Sequence, residues 1–159
     1  MGVAVTPMQI KSRDYRHFAY GSNLKVERKQ ARTGPIREAL IARLPDFRFA
    51  FNKRGKDGSG KANILPTAGS EVWGIVYRIS AEGLSKLDRF EGVPDHYTRE
   101  DLVVVLESGE KITAVTYTAR PHRIEEGLKP TPDYLELILE GAKHHGLPGW
   151  YIKKIEELA

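Results

Sequence analysis

The sequence predicts an α+β fold, a small mixed β-barrel with flanking helices, from three observations. Apolar residues alternate or run together in about five to seven short segments of strand character. Helical patterns are inserted between some of these segments and trail the last of them. The length of 159 residues, without internal repeat or low-complexity tract, suits one folding unit with a core of ordinary size. The expected organisation is a loose leader over residues 1–14 and one domain over residues 15–159.

Arg16 to Tyr20 reads as a strand, and Leu24 to Arg32 as a helix stopped by Thr33-Gly34-Pro35. An extended segment follows and is expected to break at Leu44-Pro45-Asp46. Beyond it Phe47, Phe49 and Phe51 alternate with Arg48 and Ala50 in the period of a half-buried strand. After a glycine-rich loop, "ANILP" and "EVWGIVYRI" read as two further strands. Ser80 is placed to cap a helix through Leu84 and Leu87 that ends near Glu91-Gly92-Val93-Pro94. Tyr97 to Ala119 reads as a hairpin turning at Ser108-Gly109. Thr131 and Pro132 open a helix with a broad apolar face that stops at Gly146, and a shorter helix follows Pro148.

Composition narrows the function classes. No apolar run approaches the roughly 20 residues of a membrane span, so no membrane partner is expected. The first fourteen residues lack the apolar core of a secretory signal, and the absence of cysteine fits a reducing compartment, so a cytoplasmic location is expected. Gly2 and Thr6 satisfy a loose N-myristoylation pattern that is too short to carry weight. The net charge of +4 comes from 25 Lys and Arg interleaved with 21 acidic residues, which argues against a nucleic-acid partner but favours anionic small molecules. Without cysteine, thiolate catalysis and thiolate metal sites are excluded.

Several segments invite a functional reading. "GKDGSGKA", Gly55 to Ala62, nearly matches a phosphate-binding loop, but Ala62 replaces the Ser or Thr that would hold Mg²⁺ and a strand follows where a helix is needed. A basic hairpin loop accounts for it better. His144 and His145 end a helix, where the dipole favours cations, and point in different directions, while His17, His96 and His122 are scattered, so no metal site is expected. "HFAYGSNL", His17 to Leu24, feeds a strand through Gly-Ser-Asn into a helix. Such a turn aims several backbone N–H groups at one point, suiting an anion or carbonyl oxygen; it is equally read as a plain turn with Asn23 as helix cap. Glu91 is a solvated helix-end carboxylate on one reading. On the other, the negative end of the helix dipole and partial burial beside Phe90 raise its pKa toward that of a useful base.

These segments together resemble the γ-glutamylcyclotransferases. The resemblance rests on "FAYGSNL" at Phe18 to Leu24, "EVWGIVY" at Glu71 to Tyr77, "LDRFEGV" at Leu87 to Val93 with Tyr97 beyond, and "PTPDYLELILEGAKHHGLP" at Pro130 to Pro148. It implies a small β-barrel with flanking helices, no cofactor and no metal. It also implies that Glu91 is the catalytic acid/base, that Tyr20, Gly21, Ser22, Asn23 and Leu24 bind a γ-glutamyl group, and that Tyr97 and Tyr134 line or close the pocket. The leader, the loop around Arg54 to Gly60 and "PDH" before Tyr97 depart from the family pattern, which leaves the leaving group open between amino acids, amines and a γ-glutamylated biosynthetic intermediate. A non-catalytic γ-glutamyl binder is the alternative from another class. The expected partner is a small γ-glutamyl substrate, and a homodimer is left open.

Overall fold

Strands β1 (Asp14–Ala19), β2 (Ala39–Arg54), β3 (Gly60–Ser80), β4 (Tyr97–Leu106) and β5 (Lys111–Ala119) close into a mixed barrel in the order β1-β3-β2-β4-β5. Closure is made where β1 meets β5 in parallel, His17 opposite Val115, while the other pairings are antiparallel. Four helices flank the sheet: α1 (Val26–Thr33), α2 (Ala81–Phe90), α3 (Pro132–His145) and α4 (Gly149–Leu158). The computed structural model describes residues 13–159. The Gly2 to Thr6 acylation pattern and all but the last two residues of the expected leader lie outside the described residues. Among the described residues, no helix is long and apolar enough to cross a membrane.

Two expectations are corrected. The break at Leu44-Pro45-Asp46 is a bulge inside one continuous strand: Asp46 takes φ 63°, and its carboxylate accepts the Gly69 N–H at 3.0 Å. The residue left without a partner is Asp46, while Pro45 stands opposite Glu71 at the edge of the bulge, one of the places where a strand tolerates proline. "ANILP" and "EVWGIVYRI" are accordingly halves of one 21-residue strand, β3, rather than two strands. A second register shift between Ala50 and Lys53 ends the Phe47 to Phe51 alternation, so Phe51, Asn52 and Lys53 are all buried in succession.

The helix signals act as the local chemistry predicts. Ser80 Oγ accepts the Gly83 N–H at 3.0 Å, and Thr131 Oγ1 accepts the Tyr134 N–H at 3.2 Å. Gly146 takes the left-handed conformation, φ 78°, that ends α3. The near match to a phosphate loop is a hairpin turn between β2 and β3, closed by Gly55 N–H on the Ser59 carbonyl at 2.9 Å and by Asp57 on Ser59. The Ser22-Asn23-Leu24 segment is a single 3₁₀ turn before α1, and neither it nor α1 has a side-chain cap. Asn23 is therefore not the cap expected of it. Its Oδ1 instead accepts from Arg32 at 3.3 Å.

The barrel and α3 hold that turn from behind. The Tyr77 hydroxyl, fully buried on β3, donates to the Asn23 carbonyl at 3.0 Å, and His145 Nε2 donates to the Leu24 carbonyl at 3.0 Å. Helix α3 crosses the Leu24 backbone at Gly141, where a Cβ would come within 2.4 Å of the Leu24 carbonyl carbon. Gly141→Val is therefore expected to cost about 2 kcal/mol or more through overpacking. Gly149→Ala, with no neighbour within 4 Å of the added carbon, should leave stability within about 0.5 kcal/mol. Urea unfolding of both variants measures the contrast.

Candidate active site

A cavity of about 410 Å³ opens between the turn after β1, the exit of α2, the tip of the β2–β3 hairpin and Tyr134. It brings together Tyr20, Gly21, Ser22, Asn23, Glu91, Tyr97 and Tyr134, residues spread over most of the chain. Leu24 is not in its wall; it is buried behind the turn, beneath Gly141.

Glu91 caps the C-terminal end of α2, its N–H on the Leu87 carbonyl at 2.8 Å, and its side chain is 15% exposed. Burial raises its pKa above the usual carboxylate value, and the cations of Arg32, Lys29, Lys53 and Arg28 pull it back without cancelling the rise. Arg32 Nη1 stands 3.5 Å from the Glu91 carboxylate and also donates to Asn23, so one guanidinium ties the turn to the acid. Phe90 does not supply the burial expected of it. It is 57% exposed and lies under the Arg32 guanidinium, 5.2 Å from its ring centroid.

The three tyrosines differ in what their hydroxyls have left to offer. Tyr20 donates to the Tyr117 carbonyl at 2.7 Å, and Tyr97 donates to the Ala62 carbonyl at 2.7 Å. Tyr134 accepts the Ala62 N–H at 3.0 Å, which leaves its own proton to donate. Burial pushes its pKa up to about 12, so it stays protonated at neutral pH. Gly21 faces Ala62 so closely that a Cβ would sit 3.0 Å from the alanine methyl and 3.7 Å from the Tyr134 hydroxyl.

A model of the AIG2-like family matches residues 71–155. γ-Glutamylcyclotransferase of Bos taurus is 37% identical over 150 residues, spanning 91% of this chain and 78% of the relative, and that of Homo sapiens is 35% identical over the same shares. A solved structure named γ-glutamyl cyclotransferase superposes with a TM-score of 0.85 at 34% identity, covering 92% of this chain and 89% of its own. The barrel and its cavity thus define an AIG2-like enzyme fold, and the chain belongs to the γ-glutamylcyclotransferase family.

Sequence reasoning missed several groups around the acid. Arg28 and Arg32 line the cavity from α1, and Lys53, Lys56 and Lys61 line it from the β2–β3 hairpin. Two lysine–imidazole pairs flank it. Lys53 Nζ contacts His96 Nδ1 at 2.8 Å, and Lys29 Nζ contacts His17 Nδ1 while lying 5.2 Å from the Tyr77 ring centroid. A lysine inside the polar stripe of a short helix carries no sequence signal of burial, yet Lys29 is 0% exposed. Within α1 it shares a face with Thr33, four residues on, which is also buried.

Burial lowers the Lys29 pKa to about 7, with Glu91 opposing the shift. An unfolded lysine titrates near ~10.4, so between those values the unfolded chain holds a proton that the folded chain does not. Wild-type stability therefore gains from Lys29 as pH rises from about 7 toward 10, and below 7 the fold carries the full cost of a buried ammonium. Lys29→Met should be more stable than wild type by a margin that is largest below pH 7 and narrows toward pH 10. Thermal melting across that range reads it, and a margin independent of pH would contradict the assignment.

Proposed function

We propose that this chain cyclises γ-glutamyl amino acids, releasing 5-oxoproline and the free amino acid, with Glu91 as the single acid/base. The observation that carries this reading is a carboxylate withdrawn from water, with its pKa raised by burial, in the same cavity as an open backbone turn. The similarity to proteins named γ-glutamylcyclotransferase supports it.

The substrate brings its own nucleophile. Its α-nitrogen attacks the γ-carbonyl carbon, a C–N bond forms to close the five-membered lactam, and the bond to the leaving nitrogen breaks. Between ammonium and lactam N–H the α-nitrogen loses two protons. Glu91 takes them in turn and passes them to the departing nitrogen, which leaves as the ammonium of the amino acid, so charge and protons balance without a covalent enzyme intermediate. Holding the glutamyl chain folded over supplies much of the acceleration, because intramolecular attack rewards positioning heavily.

The N–H groups of Gly21, Ser22 and Asn23 precede the first bond of the turn, Leu24 N–H to the Gly21 carbonyl at 3.0 Å, and would receive the glutamyl carboxylate or the oxyanion. Tyr134 would donate its spare hydroxyl proton to the same oxygens, while Tyr20 and Tyr97 serve as walls. The cysteine-free composition supports a cytoplasmic location.

Incubation with γ-glutamyl-alanine, followed by mass spectrometry of 5-oxoproline, tests the reading. Glu91→Gln keeps the shape but not the proton transfer and should lower kcat by about 10²–10⁴-fold. Full activity in a folded Glu91→Gln protein would remove Glu91 as the base. Tyr134→Phe should lose about tenfold or more in kcat/KM, as expected for one hydrogen bond to a charged or charging oxygen. The acid limb of the kcat/KM profile should lie above the ~4.3 of a free glutamate, because the free enzyme must hold Glu91 ionised and burial raises its pKa.

A further inference from the structure

The geometry points to Lys53, set by His96, as the residue that binds the carboxylate of the leaving group. This rests on the cyclisation reading for the identity of the ligand.

Lys53 belongs to β2 but is turned inward by the bulge after Ala50, and it is 5% exposed. Its ammonium meets the His96 imidazole at 2.8 Å and lies 5.2 Å from the Tyr97 ring centroid. Neither contact supplies a negative charge. Burial and the neighbouring Lys53 and Arg123 cations lower the His96 pKa, so the imidazole is neutral and accepts at Nδ1. The carboxylate next along, Asp95, is engaged by Arg123 and by His122 at 3.2 Å and lies 3.9 Å from His96 Nε2, the ring nitrogen that does not meet Lys53. Lys53 is thus an ammonium withdrawn from water, braced by a neutral ring and lining the cavity. Glu91 favours this charge from within the same cavity but makes no ion-pair contact with it, which leaves the ammonium a place for a ligand anion.

The arrangement of charge around Glu91 says which anion. Arg28 and Arg32 approach from α1, the helix that follows the glutamyl-binding turn, and Arg28 Nε is buried there without a protein partner. Lys53 and Lys61 approach from the β2–β3 hairpin; Lys61 Nζ lies 4.4 Å from the Tyr134 ring centroid and 3.6 Å from Asp57 on the same wall, so of these two Lys53 is the cation without a carboxylate beside it. Glu91 feels both sides, since Arg32 and Lys53 each act on its charge. A γ-glutamyl amino acid has the matching pattern: one carboxylate on the glutamyl end, one on the leaving group, and the reacting amine and amide between them. With the glutamyl carboxylate at the turn, the second carboxylate falls to the hairpin side. A γ-glutamyl amine leaves Lys53 unpaired, and one with a second amino group sets a cation against it.

γ-Glutamyl-alanine and γ-glutamyl-ethylamide differ only in that carboxylate, so they isolate the contact. Calorimetry in a Glu91→Gln background reads binding of both. The alanine compound should bind about 10- to 100-fold more tightly, as for a hydrogen-bonded charge pair. Lys53→Met and Lys53→Gln should each erase that ratio by weakening the alanine compound alone, and Lys53→Arg should retain much of it. With Glu91 intact, the loss should fall on KM rather than kcat. Equal binding of the two compounds, no binding of either, or a ratio that survives in the Lys53 variants overturns the proposal. Formation of 5-oxoproline by wild type is read separately. A Lys53-dependent ratio without any product would overturn cyclisation and leave the carboxylate site standing.

Discussion

The carboxylate of Glu91, held out of water at the exit of α2 and pinned 3.5 Å from Arg32, is the charge around which the rest of the site is arranged. Left alone, such a group would simply stay protonated, because burial penalises its ionised form. The surrounding arginines and lysines restrain that rise, so the group can both accept and return a proton. The barrel makes this possible. Pairing of β1 with β3 brings the Gly-Ser-Asn turn, which follows β1, to the end of the barrel where α2 releases Glu91. Arg32 then spans the gap by contacting Asn23 on one side and Glu91 on the other.

The turn itself has two sides with different chemistry. On one side Tyr77 and His145 satisfy the carbonyls of Asn23 and Leu24, and on the other Gly21, Ser22 and Asn23 line the cavity. Two close approaches fix its depth: Gly141 against the Leu24 backbone behind, and Gly21 against Ala62 in front. At Gly141 a side chain would occupy space the Leu24 backbone fills, and at Gly21 it would press on the Ala62 methyl. His145 gains from this role a lowered pKa through burial, the opposite of the cation that its place at a helix end suggests. Burial outweighs both the dipole and the hydrogen bond to the Leu24 carbonyl, each of which favours the charged ring.

Both buried lysines of the site use the same solution to one problem. Lys29 and Lys53 each rest on a tyrosine face and hand a proton donor to a neutral imidazole. An imidazole satisfies the hydrogen bond without neutralising the charge, so Lys53 keeps a positive potential near Glu91, and Lys29 does so until it loses its proton at about pH 7. A carboxylate partner would have quenched that potential. The difference between the pairs is access: His96 and Lys53 both line the cavity, whereas on the other side only His17 does.

Much of the fold was legible in the sequence because its signals are local. Ser80 and Thr131 as caps, Gly146 as a helix stop and Ser108-Gly109 as a hairpin turn depend on a few neighbouring backbone groups, and these elements lie where the pattern places them. Family motifs likewise marked Glu91 and the turn. The misreadings share a cause. Pro45 and Asp46 look like a break until a partner strand absorbs them as a bulge, and Asn23 looks like a cap until Arg32 claims its side chain. The burial of Lys29 and Lys53, the splitting of tyrosine hydroxyls between backbone and cavity, and the meeting of Arg32 with Glu91 join residues far apart in the chain or turned by a bulge. The sequence by itself determined which elements form and which residue types could carry proton transfer, because propensity and capping act over a turn or two. Only the tertiary structure decided which charges lose water and which face one another, because desolvation and Coulomb interaction depend on distances that barrel closure sets.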